Sequence, residues 1–245
     1  MAELSPYALR LALYLALMLL FGRMLFVRPG LPRSVSLALV LVALVLVGID
    51  VVTRLSGVLG ISPVDIDGET ARWFLTGTPV GEAGLLRILA LLAMLPLLAV
   101  NRPVQGLRRP ALLALSTVTL ASLAWNGHAA AGDGVAGRLR LAAGIVHLLA
   151  AGAWIGAIAA IVQLALRRQG PSLRERTHEL WQAAHGFALP GTIIVALLAM
   201  TGTYTYVDLG GSIQTLTGAA HGRWLLLKLA LVGGMLGLAA LHRWR

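Results

Sequence analysis

An all-α polytopic membrane protein is the fold class that the sequence predicts, and three observations predict it. Hydrophobic residues make up 58% of the 245 residues and charged residues 12%, against about 45–50% and about 25% in soluble domains. The apolar residues are gathered into seven runs, each near the roughly 20 residues that cross about 30 Å of hydrocarbon. The runs lack strand alternation and are far longer than the ~10 residues of a membrane strand, so a closed barrel is not expected.

The seven expected spans are 6–27, 34–53, 84–100, 110–127, 139–166, 187–207 and 223–242. The first has neither the basic start nor the small-residue cleavage site of a signal peptide, and its apolar stretch is too long for one. It is read as a helix that stays. The longest connection, 54–83, carries Asp65, Asp67, Glu69 and Trp73, and a short interfacial helix is expected near 68–76 with Trp73 at headgroup level. Pro96 and Pro190 are expected to kink the third and sixth spans. Gly152 and Gly156 form a GxxxG on the fifth, suited to close packing against another helix or a second copy of the chain. In the connection 167–185, Ser172 followed by Glu175 resembles a capping box, and a separate surface helix is expected there.

Twelve of the twenty Lys and Arg residues fall on one set of loops, and eight of the ten acids fall on the other. The positive-inside bias then places the N-terminus outside and the C-terminus inside. Asp50 and Arg87 lie near the outer ends of the second and third spans and are expected to be neighbours, with Asp50 lining an ion path as the alternative.

The chain also aligns with itself. Residues 75–102 and 216–243 match without a gap, Leu75-Thr76-Gly77 on Leu216-Thr217-Gly218, Gly81 on Gly222, Arg87 on Lys228, Met94 on Met235 and Arg102 on Arg243. Residues 13–22 match 147–156, both ending on glycine, Gly22 and Gly156. Spans one and three thus correspond to five and seven. An even offset of four spans predicts two parallel tandem repeats of a four-helix unit, 1–128 and 129–245, related by an axis along the membrane normal. The fourth span has no counterpart, so an eighth helix is expected to be lost or truncated.

The net charge is +10, but the basic residues are scattered between apolar runs, which argues for topology rather than nucleic-acid binding. There is no Cys, which excludes disulfides, thiolate metal sites and cysteine nucleophiles. No GxSxG, HExxH, P-loop or strand-associated GxGxxG is present, and no enzymatic activity is expected.

Polar side chains inside a membrane are costly and are functional candidates by default. His147 lies seven residues past Arg140, about 10 Å into the span. Met200 lies eight residues before Asp208, His128 ends the fourth span and His221 begins the seventh. All four belong to the outer half, and imidazole with thioether suits copper. Against this, a lone histidine can simply bond a neighbouring helix, and a lone methionine usually fills core space. Trp154, two turns below His147, is placed to wall such a site. His178 and His185 lie toward the inner side and read as interfacial; His242 suits a helix C-terminus.

The segments GHAAAGDG (127–134), HLLAAGAWIGAIAA (147–160), TGTY (201–204) and HGRWLLLKLALVGGMLGLAALHR (221–243) resemble the copper-resistance D (CopD/PcoD) family of integral membrane proteins. The resemblance covers roughly 120–245 and is looser over 1–110. It implies an eight-helix bacterial inner-membrane protein that passes copper from periplasm to cytoplasm, beside a small periplasmic copper-binding partner of the CopC type. On this reading copper reaches a metal site of His128, His147, Met200 and His221 from the outer face and moves inward between the two halves. A haem- or quinone-linked redox protein, with histidines as axial ligands, and a non-transporting assembly factor that packs through its GxxxG face or as a homo-oligomer remain the alternatives.

Overall fold

The computed structural model describes residues 4–26, 33–100, 104, 106–126, 134–166, 173–208, 210–212 and scattered positions between 222 and 234. The chain divides into two units, residues 1–201 and 202–245. Among the described residues the secondary structure is helical: α1 (Leu4–Leu25), α2 (Arg33–Leu59), α3 (Gly68–Gly77), α4 (Pro79–Ala99), α5 (Arg108–Ala121), α6 (Gly134–Leu166) and α7 (Leu173–Asp208). Short 3-10 turns occupy Pro63–Asp65 and Ser122–Asn126. Most of the seventh expected span, 223–242, lies outside the described residues.

Five of these helices, α1, α2, α4, α6 and α7, are long and apolar enough to cross a membrane. The expected interfacial helix is α3. Asp67 caps it, accepting from the Thr70 amide at 2.8 Å, and Thr78 ends it while capping α4 through the Gly81 amide at 3.0 Å. Trp73 is half exposed on α3.

The expected fourth span differs from the others. Its α-helical part is only 14 residues, Arg108–Ala121, and the last five residues tighten into a 3-10 turn, giving about 31 Å in all. The cause is a ladder of hydroxyls: Ser116 and Thr117 donate to the Leu113 carbonyl, Thr119 to Ser116 and Ser122 to Thr119. Such back-bonding satisfies each hydroxyl locally and bends the helix. It also lets Ser116, Thr119 and Ser122 sit buried in the bundle.

In the first unit α1 packs against α2, α5 and α6, and α4 packs against α2, α3 and α5. Leu13, Leu17 and Leu20 of α1, Val40 and Val47 of α2, Leu91 and Met94 of α4 and Leu120 of α5 form the core. Leu41, Val45, Leu86 and Leu89 face outward, as apolar surface facing lipid would. Where α1 and α4 end and α2 begins, Arg23 donates to Ser36 at 2.7 Å, and Arg33 and Arg108 donate to the terminal carbonyls of α4 at Val100 and Leu97. These cations meet the negative end of the α4 dipole.

The α1–α6 crossing is set by glycine. A Cβ on Gly22 would lie 2.3 Å from the Cα of Gly156, and one on Gly152 would lie 2.5 Å from Leu120 Cδ2. The GxxxG of α6 is therefore used inside the bundle, where small residues let backbones touch.

The connection before the sixth span corrects the expectation of a separate surface helix. From Leu173 the chain runs straight into the span, making α7 a single helix of 36 residues, about 54 Å long and well beyond a ~30 Å hydrocarbon core. No Gly or Pro interrupts 173–185, so nothing breaks the helix there. Ser172, the expected cap, lies outside the described residues. Pro190 and Pro96 both sit within helices.

The second unit contains the end of α7. Gly210, at φ 77, reverses the chain. The Gly210 and Gly211 amides donate to Val207 and Tyr206 carbonyls, and the Tyr206 hydroxyl donates to Ser212.

Gly156→Val is expected to lower bundle stability by about 1–3 kcal/mol through overpacking. Gly48→Ala, on a helix position where a Cβ meets nothing within 4 Å, is expected to be neutral or stabilising by about 0.5–1 kcal/mol. Thermal unfolding of the detergent-purified variants separates the two.

Asp67 supplies a pH test. The hydrogen bonds from Thr70 hold its carboxyl below the usual carboxylate range. A lowered folded value means the cap is fully effective above the ordinary carboxylate range and is lost as pH falls through the folded value. Trp73 fluorescence is expected to report fraying of α3 on acidification, and Asp67→Asn, which keeps an acceptor but cannot titrate, is expected to flatten that response.

Candidate functional site

Two polar places stand out within the first unit. The first is on the facing sides of α6 and α7. His147 is half-buried, and its Nδ1 lies 2.9 Å from the Thr201 hydroxyl oxygen. That hydroxyl donates to the Leu197 carbonyl at 2.6 Å. With the hydroxyl donating to that carbonyl, its oxygen is placed to accept from His147 when Nδ1 carries the proton. A neutral imidazole protonated at Nδ1 carries its lone pair on Nε2. This is how ligating histidines are oriented: one nitrogen donates to a fixed acceptor, and the other faces the metal.

Seven residues along α6 from His147 stands Trp154, and seven further stands Ile161, so the three share one helix face. Trp154 meets Phe187 of α7 edge-on at 6.1 Å, and Phe187 meets Phe26 at 6.2 Å. Beside these rings lies an open pocket of about 350 Å³ lined by Phe26, Ala157, Ile161, Gln182, Gly186 and Phe187, with Arg109 at its wall. Pro190 cannot donate to the Gly186 carbonyl, and both residues line this cavity. The face of α6 thus runs from an imidazole, past an aromatic cluster, to an open pocket.

The second place is a charged cluster between α2, α4 and the 3-10 turn after α5. Asp50 is 2% exposed and accepts from Arg54 Nε at 2.8 Å and from Asn126 Nδ2 at 3.4 Å. Arg87 is fully buried and donates through Nε to Ser122 Oγ at 2.9 Å. The expected neighbours Asp50 and Arg87 do feel each other, with Asp50 the opposing charge on Arg87, but the ion pair itself joins Asp50 to Arg54 four residues on.

Of the four expected metal ligands, His147 sits in this geometry. Met200 is 61% exposed; it precedes Thr201 by one residue, about 100° around the helix, and it is Thr201 that meets His147. His128 and His221 lie outside the described residues. Among the described residues no three His, Cys, Asp or Glu side chains converge as a metal-binding group. His178 and His185 are exposed on α7 and stack on either side of Trp181 at 6.3 and 3.9 Å. Sequence reasoning missed Thr201 and Arg54. A hydroxyl at the depth of a histidine on the next span was the available signal for Thr201, and i, i+4 spacing that for Arg54.

Comparisons with known proteins agree on one family. Residues 1–138 match the copper resistance protein D-like N-terminal domain, and residues 181–245 match copper resistance protein D. Copper resistance protein D of Pseudomonas syringae pv. tomato is 33% identical over 249 residues, covering 96% of this chain and 80% of that protein. No solved structure matches. A multi-pass helical chain with this likeness over nearly its whole length belongs to the copper resistance D family.

Proposed function

We propose that this chain carries copper across the bacterial inner membrane, from the periplasmic to the cytoplasmic side, with its N-terminus outside and its C-terminus inside. Family membership supports a copper-handling role. The observation that carries the path is the contact between His147 and Thr201: with the proton on Nδ1, the imidazole lone pair is on Nε2, a donor type that suits copper. His128 and His221 are the proposed further donors. Met200, exposed beside this contact, is given no ligand role. A periplasmic partner of the CopC type delivers the ion to this end.

Below His147 the ion meets Trp154, Phe187 and Phe26. These rings close the way between the imidazole and the inner chamber, so passage requires Phe187 to turn aside. The chamber then offers Gln182 and the Gly186 carbonyl as polar atoms at its wall. No step calls for bond making or electron transfer by the protein, so the activity is translocation rather than catalysis.

Copper uptake into chelator-loaded proteoliposomes tests the reading. His147→Ala is expected to abolish saturable uptake. Thr201→Val, which removes this hydrogen bond, is expected to weaken copper affinity by about 10-fold or more, as loss of a supporting hydrogen bond does. Met200→Ala is expected to leave uptake unchanged, and Phe187→Ala to raise it. Undiminished uptake in His147→Ala would remove the basis of the proposal.

A further inference from the structure

The open pocket beside Phe187 changes in polarity along its length. Arg109 and Gln182 are its polar side chains, while Ala157, Ile161, Phe187 and Pro190 make apolar walls. Gln182 is the lining residue nearest the start of α7, and Pro190 stands eight residues on, about 12 Å along the helix. Residues 167–172 alone separate the end of α6 from the start of α7, so the two helices present these ends to the same side. Ile161 accordingly lies nearer that side than Ala157. Arg109 is the second residue of α5. The groove thus runs along the helices, from a polar rim at their ends to an apolar interior.

Val162, next to Ile161, and Leu189, next to Pro190, are exposed, so the walls continue onto apolar surface. A slot of about 350 Å³ with this gradient fits an amphiphile lying parallel to the helices. In a bilayer the acyl chains run in that direction, and the headgroups lie level with the helix ends. The charge at the rim selects the headgroup. Arg109 is exposed and makes no hydrogen bond or ion pair among the described residues. Its neighbour Arg108 is spent on the terminal carbonyls of α4. A guanidinium matches phosphate in a bidentate pair, and basic pockets between spans take anionic headgroups.

We propose that this groove holds one anionic glycerophospholipid, its phosphate on Arg109 beside Gln182 and one acyl chain lying between α6 and α7 as far as Pro190. The site does not rest on the copper reading, since it uses neither His147 nor Thr201. Because Phe187 lines the groove, a seated chain packs on that ring and holds it in place.

The test uses the full detergent-purified chain, stripped of lipid, with dioleoylphosphatidylglycerol and dioleoylphosphatidylcholine in mixed micelles as probes. Phosphatidylglycerol is expected to raise the unfolding temperature saturably and to remain as a single adduct in native mass spectrometry, and phosphatidylcholine with the same chains to do so less. Arg109→Gln is expected to raise the half-saturating phosphatidylglycerol concentration about 5-fold and to remove the preference. Arg72→Gln, at an exposed position of α3, is expected to keep it. Gly186→Leu fills the groove at a position where an added Cβ meets nothing within 4 Å, and it is expected to abolish the adduct in a folded chain. Equal responses to the two lipids, a preference that survives Arg109→Gln or is lost equally in Arg72→Gln, or an adduct that survives Gly186→Leu overturns the proposal. Stabilisation by inorganic phosphate alone also overturns it, since the groove would then have no part in binding. Copper uptake enters none of these readouts.

Discussion

The contact between Gly22 and Gly156 is the constraint on which the rest of the first unit depends. Lipid tails are as apolar as leucine, so helices in a bilayer are not driven together by the hydrophobic effect, and close packing has to supply the energy. Here two backbones meet with no room for even a methyl group between them. Gly152, one turn away, lets Leu120 and Phe21 into the same seam. The crossing sets the rotation of α6, and that rotation decides which residues look toward α7. His147, Trp154 and Ile161 share one stripe of α6, so a substitution at Gly156 acts on the imidazole and the aromatic cluster without touching either.

The two polar centres of the bundle differ in charge, and this separates what each can hold. The cluster around Arg87 has two guanidiniums against one carboxylate. A copper ion entering it would be repelled in a medium that screens poorly. The His147–Thr201 pair carries no formal charge when the imidazole is neutral and offers a lone pair. The two centres are thus chemically distinct, one a charged cluster near α2 and α4 and the other an imidazole–hydroxyl pair on α6 and α7.

Much of this was legible in the sequence, for definite reasons. Spans show because a membrane helix is apolar over its whole length, and the interfacial helix shows because Asp67, Thr70 and Thr78 are capping residues at its ends. The glycine seam was visible as GxxxG, although spacing alone does not say which neighbour it meets. The missed features are those in which polar groups choose among nearby partners. Asp50 had Arg87 as a neighbour across the bundle and Arg54 as a neighbour one turn on. Local geometry favoured the latter, while Ser122 took the Nε of Arg87. Met200 and Thr201 have the same depth, and only the rotation of α7 decides that the hydroxyl faces His147. The tightening of α5 into a 3-10 turn follows from four hydroxyls bonding backward, a preference that hydropathy does not register. The length of α7 was hidden because residues 173–185 are polar but contain no breaker.

The internal alignment sets two glycines and their neighbours side by side. It equates Gly22 with Gly156, and those two residues are in contact. By the same alignment Leu13 corresponds to His147, each nine residues ahead of its glycine. Leu13 is completely buried in the core, whereas His147 is half-buried and holds Thr201. The two aligned helices thus share a packing residue and differ in chemistry nine residues away. Packing at a glycine crossing tolerates almost no variation, because any side chain collides with backbone. A position nine residues away is free to exchange a methyl-bearing side chain for an imidazole once a hydroxyl stands opposite it. The packing at the crossing and the polar contact at His147 therefore depend on different residues, so the contact can vary while the bundle keeps its form.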